Sequence, residues 1–143
     1  MFKRITLNEI FLVTKKYAKS ILITVTIIYL SLATSSEFDG FKKFNLFNGF
    51  DKLVHLLMYM LLAFFLLIEF GKLQNINFFI KSRIYIAFFY PFLLGIIMEF
   101  CQGYFCTTRT AEILDVMFNT GGIILAWLLF FFAVYKSAYW KNK

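Results

Sequence analysis

Long apolar runs alternate with short polar connections along this chain. Four runs approach the roughly twenty residues that cross the hydrocarbon of a bilayer: 18–35, 53–70, 84–100 and 116–135. A backbone in lipid satisfies its N–H and C=O groups only within its own segment, so each run is expected to be a helix. The pattern predicts an all-α fold: an integral membrane bundle of four transmembrane helices with short loops, forming one domain over residues 1–143.

Composition supports that pattern. Apolar residues make up 61% of the chain and charged residues 16%. A soluble domain of this size could not hide four such runs. The net charge of +7 would suggest nucleic acid in a soluble protein. Here the basic residues follow the connections instead, and no nucleic-acid partner is expected. Five lie before the first run or at its very start (Lys3, Arg4, Lys15, Lys16 and Lys19), three lie between the second and third, and three follow the fourth. The other two connections hold Lys42, Lys43 and Lys52, and then only Arg109. The positive-inside rule therefore places both the N-terminus and the C-terminus in the cytoplasm. A basic leader followed by Ser31-Leu32-Ala33 also reads as a cleavable signal, but further spans follow it, and a retained helix is the simpler expectation.

The connections carry fewer signals. Residues 1–17 are cytoplasmic on this topology, and their mixed basic and apolar side chains fit an interfacial helix or a loose tail. Residues 36–50 form an extracytoplasmic connection with Phe38, Phe41, Phe44, Phe47 and Phe50 at every third position. Such a strip anchors at the headgroup region, with a flap over the bundle as the alternative. Pro91 removes one backbone bond from the third run and is expected to kink it. Gly122 and Ala126 form a small-xxx-small pair that fits close packing within the bundle or a homodimer face. Cys101 and Cys106 are expected to be free thiols.

The polar residues inside the runs are spaced by helical periods. Asp51, His55 and Tyr59 stand four apart with Lys52 beside them, and Glu99 and Gln102 stand three apart. Glu112, Asp115, Asn119 and Gly122 step by three, four and three, with Arg109 just before them. On the topology above, all three groups lie at outer ends of their spans. Charges in a membrane are costly and face the bundle interior, so these residues are expected to converge at one depth. With His55 neutral, the set carries four carboxylates and two cations. Two carboxylates then remain for a cation, a proton or a substrate amine.

The segments DKLVHLLMY, EFCQ and RTAEILDVMFNTGG resemble the VanZ-like family of bacterial membrane proteins. The resemblance covers roughly residues 51–125 and rests on Asp51, Lys52, His55, Tyr59, Glu99, Gln102, Arg109, Asp115, Asn119 and Gly122. It implies a place in the bacterial plasma (inner) membrane and a role in the cell envelope, because the founding member is linked to resistance to the glycopeptide teicoplanin. It implies no settled chemistry.

Several functions fit these residues. The first is an outward polar pocket binding an envelope or lipid headgroup ligand, a cell-wall precursor or a glycopeptide. There Glu99, Arg109 and Asp115 hold charges while His55 and Gln102 orient them. The second is an intramembrane enzyme using Glu99 and His55 as acid and base on a lipid-linked substrate. The third is a structural subunit without a ligand, its cluster serving only to pair helices. A proton-coupled transporter is the fourth, and four short helices without a repeat offer it little. No cofactor is expected. A metal is not expected either, because His55 is the single histidine and no thiolate joins it.

Overall fold

A computed structural model describes residues 6–32, 49–71, 78–105 and 112–141. The described residues form five helices: α1 (Leu7–Lys16), α2 (Ala18–Leu32), α3 (Phe50–Gly71), α4 (Phe78–Phe105) and α5 (Ile113–Lys141). Three of them contain apolar stretches of 21 residues, Phe50–Phe70, Tyr85–Phe105 and Ile113–Ala133. At 1.5 Å per residue such a stretch is about 31 Å long, enough for the hydrocarbon core. The first expected span appears as α2, a shorter apolar helix of 15 residues. It covers about 22 Å, and residues 33–48 beyond it lie outside the described residues. The four expected runs therefore stand here as three membrane-length helices and one shorter one. Within the N-terminal stretch, Leu7–Lys16 are helical.

Helix α3 is the hub. It packs along α5 for much of its length and also contacts α4, while α2 seats against both α3 and α4. The core is correspondingly rich in α3 side chains: Tyr59, Leu62, Ala63 and Leu67 are almost entirely buried. Ile27 of α2, Ala87 of α4, and Ile123 and Ala126 of α5 join them. The Gly122–Ala126 pair faces inward against α3. An added Cβ at Gly122 would collide with the carbonyl oxygen of Leu56, so the two backbones touch there. Small residues at such a crossing allow the van der Waals packing that associates helices in lipid. The pair thus serves contacts inside the bundle.

Helix α4 runs through Pro91, whose ring is packed in the core. Gly49 precedes α3 with φ of +98°, a left-handed conformation that favours glycine, and its carbonyl accepts from the Leu53 amide at 3.2 Å. Polarity is inverted relative to a soluble protein. Leu57, Leu61, Phe89, Leu93, Leu128 and Phe132 are exposed, whereas His55, Glu69, Glu99, Gln102, Asp115 and Asn119 are buried. Such an arrangement suits a lipid surround, where buried polar groups pair and apolar groups face outward. The phenylalanines from Phe38 to Phe47 lie outside the described residues.

Candidate functional site

The polar cluster forms where the start of α3, the end of α4 and the start of α5 meet. Asp51, Lys52, His55 and Tyr59 occupy the first turns of α3, with His55 and Tyr59 one turn apart on its inner face. Glu99 and Gln102 occupy the last turns of α4 and are both buried. Asp115 and Asn119 line the inner side of α5, one turn apart. Glu112 begins the same spacing but precedes the helix and is half exposed. Its backbone N–H donates to Glu99 Oε2 at 3.3 Å, which ties the entry of α5 to the end of α4.

Lys52 is the cation that the described residues place in the cluster. Its Nζ lies 2.8 Å from Glu112 Oε2 and 3.6 Å from both Asp51 Oδ2 and Asp115 Oδ1. It therefore serves one exposed and one nearly buried carboxylate across the α3–α5 seam. Arg109, expected to pair with Asp115 or Glu99, lies outside the described residues, as does Cys106. Cys101 is a free thiol, half-buried.

Deeper in, His55 Nδ1 stands 3.2 Å from Asn119 Oδ1. With the amide oxygen facing it, Nδ1 carries the proton and donates. One ring nitrogen of His55 and one carboxylate oxygen each from Glu99 and Asp115 lie within 4.8 Å of one another, all three residues being buried. Tyr59 and Asn119 lie side by side against Gly95, where an added Cβ would stand 3.4 Å from Tyr59 Cε1 and 3.2 Å from Asn119 Nδ2. The Tyr59 hydroxyl is within electrostatic reach of Glu99.

The expected residues thus divide in three. His55, Tyr59, Glu99, Asp115 and Asn119 form a buried centre, with Lys52 bridging its rim. Asp51 stays on the exposed side, within 3.6 Å of Lys52. Gln102 turns elsewhere: its Nε2 donates to the Ser31 carbonyl at 3.0 Å, so that amide fastens α2 to α4.

A second polar contact, not among the expected residues, lies at the other end of the bundle. Ser20 Oγ donates to Glu69 Oε2 at 2.6 Å, and both residues are buried. A lone glutamate within the apolar run LLIEF was the available signal, because an acid in a span needs a partner. Beside this contact lies a crevice of about 490 Å³, lined by Ser20, Thr24, Leu66, Phe70, Ile86 and Tyr90, among others. It belongs to the α2–α4 side of the opposite end, not to the polar cluster.

The chain gives no match among curated proteins or among solved structures. One family description, VanZ/LLP1, matches residues 4–134. The match extends well beyond the 51–125 segment that carries the motifs. It takes in α1 to α4 and most of α5, so it includes every helix that builds the cluster. The chain is a membrane protein of the VanZ/LLP1 family.

Proposed function

We propose that this chain works in a bacterial cell envelope, in the plasma membrane, by binding the charged headgroup of an envelope lipid or lipid-linked precursor at its polar cluster. The outer end of the bundle carries the site, and glycopeptide resistance of the teicoplanin type is the physiological setting that the family suggests. One observation carries the proposal. His55, Glu99 and Asp115 come from three helices, yet their side chains meet within 4.8 Å while buried. Lys52 bridges the rim above them. Grouping two acids in a low dielectric is costly, and a cationic or hydrogen-bonding group brought by a ligand would offset that cost.

The test uses purified protein in detergent and cells expressing it. Native mass spectrometry should show a co-purifying envelope lipid that Glu99→Gln and Asp115→Asn lose. The same variants should lose any glycopeptide phenotype while keeping wild-type expression and thermal unfolding. If the variants retain the lipid and the phenotype, or fail only because they do not fold, the binding proposal is wrong. The proximity of Glu99 and His55 also supports a second proposal, acid–base chemistry on the bound lipid. Conversion of the bound lipid, abolished by His55→Gln without loss of binding, separates the two.

A further inference from the structure

We propose that His55, Glu99 and Asp115 bind one divalent transition-metal ion, of the Zn²⁺ or Mn²⁺ type. The site belongs to the cluster assigned above to a headgroup, but its test needs no headgroup. Two ligand atoms on one such ion stand at most about 4.2 Å apart, twice a bond of about 2.1 Å. The three donor atoms already lie within 4.8 Å of one another, so small side-chain rotations complete the set. Each donor sits on a different helix, and α3, α4 and α5 are all packed together. The ligand positions are therefore fixed by the fold.

Charge points the same way. The four carboxylates Asp51, Glu99, Glu112 and Asp115 outnumber Lys52 and Arg109 by two when both cations are counted. A divalent ion balances that excess. Donor chemistry narrows the choice: one imidazole with two carboxylates suits Zn²⁺ or Mn²⁺, whereas Mg²⁺ and Ca²⁺ prefer all-oxygen sites.

An independent observation concerns the surrounding shell. Tyr59 is fully buried and Asn119 is 2% exposed. Among the described residues the Tyr59 hydroxyl and Asn119 Nδ2 have no hydrogen-bond partner. The first is within electrostatic reach of Glu99, and the second belongs to the side chain that holds His55. Three protein ligands leave such an ion a position for water or a ligand oxygen. Tyr59 and Asn119 offer that oxygen two buried, unpartnered polar groups. The Asn119 contact to His55 Nδ1 is also the kind of outer-shell bond that orients a ligating histidine.

The experiment uses the full chain in detergent micelles, stripped with EDTA and then equilibrated with Zn²⁺, Mn²⁺ or Co²⁺. The expected result is one ion per chain. His55→Gln, Glu99→Gln and Asp115→Asn should each weaken binding by at least about tenfold, and Glu69→Gln, at the opposite end of the bundle beside Ser20, should leave it unchanged. His55 is the single histidine, so its modification by diethylpyrocarbonate reports this site alone in the unmutated protein. Zn²⁺ should protect it, and Co²⁺ should show d–d bands of a nitrogen–oxygen site. Absence of saturable binding, absence of His55 protection, or undiminished binding in a folded His55→Gln/Glu99→Gln variant overturns the proposal. Lipid retention by metal-free protein would leave the headgroup reading standing without the metal. A metal site without lipid retention would do the reverse.

Discussion

Gly121 and Gly122 are neighbours in sequence and opposites in surroundings. An added Cβ at Gly121 meets nothing within 4 Å, whereas at Gly122 it runs into the Leu56 carbonyl and crowds the Met60 amide. Backbone cannot rotate aside as a flexible side chain can, so α3 and α5 would have to separate. Overpacking of this kind costs about 1–3 kcal/mol. Gly122→Ala should therefore lower the thermal unfolding midpoint in detergent clearly, and Gly121→Ala should raise it or leave it unchanged, because alanine favours helix. Equal midpoints for the two variants would mean that the α3–α5 crossing is not as close as described. Gly95→Ala is an intermediate case. Its Cβ would press on the ends of the Tyr59 and Asn119 side chains, which can shift by a few tenths of an ångström. It should disturb the cluster more than the fold, and ligand or metal affinity should fall while the unfolding midpoint stays near wild type.

At the scale of elements, α2 is held by three polar contacts of different depth. Ser20 reaches buried Glu69 on α3, the Ser31 carbonyl takes the Gln102 amide of α4, and Thr24 accepts from exposed Tyr90 at 3.1 Å. Hydrogen bonds between membrane helices average about 0.6 kcal/mol. A buried carboxylate stripped of its donor costs more, about 1–3 kcal/mol. Ser20→Ala should thus destabilise more than Tyr90→Phe, and Glu69→Gln should lie between wild type and Ser20→Ala, since its amide oxygen still accepts from the serine. Thermal unfolding of the three variants in one detergent checks the order, and a Tyr90→Phe loss exceeding that of Ser20→Ala would refute it. The helices were legible from sequence because lipid demands about twenty apolar residues in a row. Their ends were not: α4 begins at Phe78, ahead of the apolar run from 84, because hydropathy marks the hydrocarbon and not the helix. The stripe from Asp115 to Asn119 was legible through helical spacing. The choice of Glu112 by Lys52 and of Ser31 by Gln102 was not, since each depends on how separate helices cross.

At the scale of the molecule, the two ends of the bundle differ in what they bury. One end holds His55, Glu99 and Asp115, and the other holds the Ser20–Glu69 contact near Lys19, whose ammonium lies 5.3 Å from the Phe65 ring centroid. The excess of basic residues near that second end is the reason to place it in the cytoplasm, where anionic lipid and the positive-inside bias both favour lysine. The prediction is direct. In a background with Cys101 and Cys106 changed to serine, Asp51→Cys and Ile113→Cys should react with a membrane-impermeant maleimide added to intact cells. Both positions lie at the cluster end, and Ile113 is 82% exposed. Leu7→Cys, on exposed α1, should react only after the membrane is opened. The reverse pattern would put the cluster in the cytosol, within reach of nucleotides and soluble metabolites. It would remove the case for an envelope ligand while leaving the helix packing, the buried acids and the metal test untouched.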